Sequence, residues 1–416
     1  YYADYGWVAD PGANIKLPAS DTLWTVTNGD QLTPETPVTL QFDNGEGLTF
    51  KRTFSLDENY MFTIEQTVEN GSGDAVTLYP YGLIARTGEP DHKSFYILHE
   101  GLIGVFGDEG AQEVDYSSLK KDGPVRPAEV NQGWLGITDK YWATALIPGT
   151  AFTAHYNYFD RGRSLYQTDF LAEPLALPAG GSAEITQRFF AGAKKVEMID
   201  GYQENLDIPL FDKIIDWGWF YWLTKPLFFV IDFFYKLVGN FGVAILIVTV
   251  LLKIVFFPLA NKSYVSMANM KKVQPKMQEI KERFGDDRQA QQKAMMELYK
   301  EEKINPASGC WPMLIQIPVF FALYKVLYVT IEMRHAPFFG WISDLSAPDP
   351  TSILNLFGLL PYESPAFLAI LAVGVWPLLM GVTMLVTYRS TNHEMNEILN
   401  GQMVSSGRAL FSLIVL

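Results

Sequence analysis

Cysteine is all but missing. Among 416 residues only Cys310 carries a thiol, so an intramolecular disulfide and a four-cysteine metal site are both excluded. Histidine is scarce too: His92, His99 and His155 are scattered through the first half without metal-ligand spacing. No nucleophile motif occurs, and the Gly-rich patches lack the lysine and the strand-to-helix context of a phosphate loop. The sequence thus indicates no catalytic residue, no cofactor and no metal. Positive charge is short in the first half. Up to Asp212 there are 14 Lys and Arg against 31 Asp and Glu, whereas the remaining 204 residues carry 18 against 15. The acidity belongs to the first half and argues against nucleic acid as a partner. A methionine is missing from position 1, where Tyr1 stands. The expectation is that an upstream segment was removed or that the chain is a fragment.

Long apolar runs are also absent before residue 213. Residues 1–212 instead hold short runs rich in Val, Thr, Phe and Tyr between clusters of Gly, Asn, Asp and Pro, the pattern of strands and turns. Val38–Phe42, Leu48–Phe54, Tyr60–Val68 and Tyr141–Ile147 are examples. Asp43-Asn-Gly45 and Glu69-Asn-Gly71 carry the Asn-Gly signal of tight hairpins. About 200 residues of this kind suit a large all-β sandwich. Residues 213–239 change character: Trp, Tyr and Phe crowd around Pro226 with Asp216, Lys225, Asp232 and Lys236 between them. Such a mixture favours the headgroup level of a bilayer, and 219–237 reads as an interfacial amphipathic helix. A buried helix of the soluble domain is the alternative.

Three apolar spans follow, about 241–260, 311–331 and 366–388. Each is long enough for a hydrocarbon core of roughly 30 Å at about 1.5 Å per helical residue. Segment 261–310 between the first two has ten Lys and Arg, whereas loop 332–365 has only Arg334 against four acidic residues. The positive-inside rule places 261–310 in the cytoplasm and 332–365, with the β domain, outside. Met270, Val273, Met277, Ile280 and Phe284 recur at helical spacing, and Ala290, Ala294 and Leu298 resume it after Gly285-Asp-Asp287. The segment therefore reads as a helical hairpin, with Pro275 in the first turn of its first arm. Residues 389–416 end in an apolar stretch too short to span.

Polar residues inside the spans carry the functional signal. Lys253 lies in the middle of an otherwise uncharged run, and Thr249, four residues earlier, shares its helix face. Gln316, Phe320 and Tyr324 form a comparable stripe on the second span. A bilayer core offers no water, so such groups need protein partners or a hydrated cavity. A polar groove with Lys253 as its fixed charge satisfies them together. Alternatively, the Lys253 stem can snorkel the roughly 10 Å to the cytoplasmic surface, and Gln316 can serve as interhelical glue.

The motifs around these residues are long. They include Asn240-Phe-Gly242, Phe257-Pro-Leu-Ala-Asn-Lys262, Met270-Lys-Lys-Val-Gln-Pro-Lys276, Arg283-Phe-Gly-Asp-Asp287, Asn305-Pro-Ala-Ser-Gly-Cys-Trp-Pro312 and Asp344-Leu-Ser-Ala-Pro-Asp-Pro350. The chain resembles the YidC-type membrane protein insertases, in the Gram-negative branch with a large periplasmic domain. The resemblance implies a multidomain membrane protein. A mutarotase-like all-β sandwich in the periplasm would precede an α-helical transmembrane bundle with a cytoplasmic helical hairpin. It further implies a non-enzymatic insertase and chaperone of the inner membrane, acting alone or with the Sec translocon. Its substrates would be nascent membrane proteins with short acidic extracellular tails, and the ribosome is a further candidate partner. Lys253 stands where the family keeps its groove charge, an Arg in many members, and Met270, Met277, Ile280, Phe284 and Leu298 fall in the loop that receives substrate. The family's signal-anchor helix and last two helices find no counterpart here, and 389–416 match none of its motifs. The rival reading is a membrane-anchored carbohydrate-binding or carbohydrate-active protein working through clustered carboxylates or a His/Glu pair in the β domain.

Overall fold

The computed structural model describes residues 1–90, 97–127, 130–285, 287–302, 305, 311–347, 349–357, 359–360 and 373–399. It separates into two compact units: Tyr1–Trp219 with Tyr328–Glu332, and Phe220–Leu327 with Met333–Leu416.

The first unit is built on fourteen strands. In chain order they are β1 (Tyr2–Ala9), β2 (Thr25–Asn28), β3 (Val38–Asp43), β4 (Leu48–Leu56), β5 (Met61–Asn70), β6 (Val76–Thr87) and β7 (Gly101–Phe106). They continue as β8 (Ala111–Asp115), β9 (Gly133–Thr138), β10 (Trp142–Ile147), β11 (Phe152–Asp160), β12 (Ser164–Ala172), β13 (Leu175–Leu177) and β14 (Ser182–Ala193). One sheet runs β1-β6-β12-β11 with β13 also paired to β6, and the other β2-β3-β4-β5-β14-β10-β9-β7-β8. All pairings are antiparallel, as expected of strands with one face on a core. Alternation does the placing: on β12, Tyr166, Thr168, Phe170 and Ala172 are buried while the residues between them are not. Tyr166, Phe170 and Ala172 meet Leu48, Phe50, Ile64, Val68, Leu102 and Leu135 from the other sheet in one continuous core. Each large apolar side chain taken fully out of water there contributes about 1.5–3 kcal/mol. The unit is a β-sandwich.

Strands β7 and β9 are buried at every position, so the nine-stranded sheet is covered on its outer face as well. The cover is α2 (Val196–Asn205) and a 3-10 turn at Phe211–Ile214, whereas α1 (Tyr116–Asp122) follows β8. Phe211 packs edge-on against Trp134 of β9 and Phe190 of β14, with ring centroids 5.4 and 5.8 Å apart. The Trp134 indole N–H donates to Pro209 O at 2.9 Å, which satisfies a polar atom that burial would otherwise strand. Residues Tyr328–Glu332, distant in sequence, complete this unit. The Glu332 carboxylate accepts the Val196 N–H at 2.8 Å at the start of α2, and the Lys140 ammonium sits 3.8 Å from the Tyr328 ring centroid.

The Asn-Gly sites do not form two-residue hairpins. The connections are 44–47 and 71–75, because each asparagine side chain gathers the loop around itself. Asn44 Oδ1 accepts the Glu46 and Leu48 amides, and buried Asn70 donates to Asp74 O, Leu177 O and Pro178 O.

The second unit contains α3 (Tyr221–Val238), α4 (Phe241–Phe284), α5 (Arg288–Glu301), α6 (Trp311–Val329) and α7 (Val375–Leu399). Gly239, at φ +68°, ends α3, and the Asn240 side chain caps α4 by accepting the Val243 N–H at 3.1 Å. α4 corrects the expected division into a span and a separate hairpin arm. It runs unbroken for 44 residues, with Pro258 and Pro275 inside it, so Pro275 does not open a helix. A proline deletes a single backbone bond, and the turns on both sides, with Val273 buried near α5, carry the helix through. The break at Gly285 is real: α4 stops at Phe284, and the Asp287 side chain caps α5 at the Ala290 N–H. α7 continues past the expected span end into the tail, and residues 366–372 and 400–416 lie outside the described residues.

Candidate functional site

Among the described residues one helix segment, Phe241–Ser263, is long and apolar enough to cross a membrane, and only 11% of its most apolar window is buried. The apolar part of α6, Leu314–Val329, is shorter. Buried Phe241, Ala244 and Val248 mark the packed face of the α4 span, whereas Leu246, Val250, Leu251, Ile254 and Val255 are exposed. Thr249 and Lys253 lie on the half-buried flank between them. The Thr249 hydroxyl donates back to Ile245 O at 2.8 Å, which satisfies its proton and leaves its lone pairs available.

Two residues belonging to this region escaped the sequence reading. Ser263 on α4 and Thr387 on α7, helices that lie against each other, are both buried hydroxyls. Spacing could have found the first: Thr249, Lys253, Phe256, Ala260 and Ser263 recur at steps of 4, 3, 4 and 3, a single stripe along α4. Thr387 carried no signal, because which face of α7 packs is a tertiary fact.

The stripe expected on α6 lies on its exposed side. Val319, Ala322, Val326 and Val329 form its buried face, and Gln316, Phe320 and Tyr324, all exposed, lie on the other side. The extensive contacts of α4 run to α3, α5 and α7. In the hairpin, Val273 of α4 and Leu298 of α5 are buried, and Met270, Met277, Ile280 and Phe284 are half-buried. The Tyr299 hydroxyl meets Met277 Sδ at 3.8 Å, and Lys276 pairs with Glu302 at 2.5 Å. The hairpin residues thus form the seam between α4 and α5.

On α3, Thr224, Leu227, Phe228 and Ile231 are buried, while Trp222, Phe229, Val230, Phe233 and Leu237 project from the opposite side. In the sandwich, His99 Nδ1 lies 3.1 Å from Asp115 Oδ1 and its Nε2 3.0 Å from Leu102 O, and His155 pairs with Asp169 at 3.0 Å. These histidines pin strands together. No group of three or more His, Cys, Asp or Glu side chains among the described residues could hold a metal ion. His92 and Cys310 lie outside the described residues.

A β-sandwich unit is thus followed by a helix long and apolar enough to cross a membrane, with Lys253 set into it. Residues 1–230 match the family model of the YidC periplasmic domain, and 233–416 that of the 60Kd inner membrane protein. Relatives named membrane protein insertase YidC include one from Sinorhizobium medicae (strain WSM419), 56% identical over 391 residues, which cover 94% of this chain and 65% of that protein. Another, from Methylobacterium nodulans, is 58% identical over 395 residues, covering 92% and 64%. The chain belongs to the YidC family. It spans just under two thirds of the length of these relatives. A solved structure described as an active YidC insertase, with its first transmembrane domain resolved, is 18% identical with a TM-score of 0.33, over 99% of this chain and 81% of that one. A galactose mutarotase-related enzyme from Lactobacillus acidophilus is 12% identical with a TM-score of 0.31, over 41% of this chain and 71% of that one. At these scores neither likeness bears on the fold.

Proposed function

We propose that this chain is the substrate-handling part of a membrane protein insertase that acts without catalysis. The observation that carries the reading is Lys253, a cation on the half-buried flank of a span whose other side is bare apolar surface. A charge at that depth costs a few kcal/mol on insertion scales, so its presence calls for a use. The use that fits is electrostatic. Lys253, with the Thr249–Ser263 stripe, attracts the acidic tail of a nascent membrane protein and holds it partway across, while the exposed flank of α4 offers its apolar segment a path into lipid. Gln316, Phe320 and Tyr324, grouped on the exposed side of α6, line the same groove. The α4–α5 hairpin receives substrate on the cytoplasmic side, at Met270, Met277, Ile280, Phe284 and Leu298, beside the ribosome or the Sec translocon. α3 lies in the headgroup layer, and the sandwich stands in the periplasm of a multi-pass protein. The relatives' names as insertases favour this reading over the carbohydrate one.

Reconstitution into proteoliposomes tests this. Lys253→Ala should slow insertion of a substrate with an acidic tail by about tenfold, the equivalent of about 1.4 kcal/mol, and should spare a substrate whose tail is neutral. Lys253→Arg should retain the activity, since the charge is kept. Equal insertion of both substrates by Lys253→Ala would refute the recruiter role.

A further inference from the structure

The segment from Asp349 to Leu360 reverses the arrangement of a water-facing loop. Its polar side chains are turned inward: Thr351, Ser352 and Asn355 are all buried. Its large apolar side chains are turned out: Ile353, Leu356, Phe357, Leu359 and Leu360 are exposed, Leu359 to 82%. Leu356 and Phe357 both adopt left-handed backbone, at φ +50° and +59°. Solvated turns give such positions to Gly or Asn, because Leu and Phe are strained there. Something outside the turn must favour these side chains.

The backbone indicates what that is. Every described amide from Thr351 to Leu360 has an acceptor within the helical unit. Thr351 donates to Asp349 Oδ1, Ser352 to Asn355 Oδ1, and Ile353 to Val373 O, at 2.9, 2.9 and 3.0 Å. Leu354 and Asn355 share Ser352 Oγ in a capping box. Leu356, Phe357, Leu359 and Leu360 donate to the carbonyls of Ile353, Ser352, Leu356 and Asn355. A loop in water has no need of so complete a set. A segment in contact with hydrocarbon does, since nothing there replaces a missing partner. The turn is seated firmly: a Cβ on Gly374 would lie 3.0 Å from both Asp349 Oδ2 and Thr351 O, and the Val375 N–H donates to Thr351 Oγ1 at 3.2 Å. Beside that seat, Trp341 and Trp376 place half-exposed rings 6.4 Å apart. Tryptophan pairs of this kind favour the headgroup layer. Exposed Leu378, Leu379 and Met380 continue the apolar surface along α7.

We infer that this turn is a lipid wedge: its Leu356, Phe357, Leu359 and Leu360 side chains insert into the shallow acyl region of the bilayer and brace the start of α7 against it. The inference rests on the membrane reading of the chain, and the test separates the two. Cys310→Ser is combined with Leu359→Cys, Leu251→Cys or Leu23→Cys. Each variant is labelled with an environment-sensitive fluorophore and reconstituted in phosphatidylcholine–phosphatidylglycerol vesicles. Leu251 reports the α4 span and Leu23 the surface of the sandwich, where it is 90% exposed. The label at 359 should emit to the blue of that at 23, lose most of its emission to lipids brominated near the headgroup, and resist aqueous iodide. Quenching at 359 by iodide but not by brominated lipid, with 251 still quenched by lipid, overturns the wedge alone. Protection at 359 from both quenchers means a protein neighbour and overturns it equally. Failure at 251 as well removes the membrane reading and the wedge with it.

Discussion

A single carboxylate organises the loop that follows α6. Asp344 accepts the His335 N–H at 3.0 Å, the Ser346 N–H at 2.8 Å and the Ser346 hydroxyl at 2.6 Å, and lies 2.8 Å from His335 Nδ1. The Ser346 hydroxyl and amide, then His335, hold its carboxyl down to about 2. A carboxylate depressed in the folded state stabilises it fully above its unfolded value near 4. That contribution fades as the pH falls from about 4 and is gone below about 2. Trp341 emission in detergent should therefore hold steady down to about pH 4 and change between there and about pH 2; a change centred well above pH 4 would refute this role for Asp344. Asp344→Asn should loosen the loop at every pH, visible at neutral pH as faster tryptic cleavage after exposed Arg334.

Among the elements, two positions should be intolerant of small changes. Gly136 on β9 passes so close to β10 that a Cβ there would fall 2.0 Å from Thr144 O, and Gly133 is as close to Val105 O. Backbone cannot yield as a side-chain tip can, so Gly136→Ala should cost at least the 1–3 kcal/mol typical of overpacking, roughly, and lower the urea midpoint of the sandwich. Glu332→Gln removes the charge that faces the first turn of α2. A loss of about 1 kcal/mol is expected, with faster hydrogen exchange in α2 and little change elsewhere. The two cases also show what a sequence makes legible. β3, β4, β5 and β10 and the seam of Met277, Ile280 and Leu298 follow from spacing within a few residues, so they could be read directly. The cap on α2 could not, because Glu332 is 136 residues from Val196 and no local window holds both. Pro275 misled because a proline marks a first helical turn only where the turns before it are not helical, and here α4 continues through it. The α6 stripe was legible in part: periodicity groups Gln316, Phe320 and Tyr324 on one face, and only the structure shows that this face is the exposed one.

For the molecule as a whole, two units with separate cores predict two separate losses of structure. In detergent, urea should abolish the near-UV signal of the sandwich, dominated by buried aromatics such as Trp134, while the far-UV helical signal persists to higher concentration. A single coincident transition would mean that the units are energetically one. The length of α4 carries a consequence of another kind. At about 1.5 Å per residue its 44 residues make a rod of roughly 66 Å, about twice the hydrocarbon thickness. Lys253 sits roughly 18 Å from one end, and Phe284 lies roughly 46 Å beyond it. Pro258, which leaves the Ile254 carbonyl without its helical donor, sets a point of least stiffness just past the charge. α4 is then a lever whose short arm holds most of the candidate span and whose long arm leads to the hairpin. A swing of about 5° about that point moves the long arm's tip by roughly 3–4 Å while Lys253 scarcely shifts. Whatever presses on the hairpin therefore applies torque at a fulcrum about one turn past Lys253, while the charge itself holds its place.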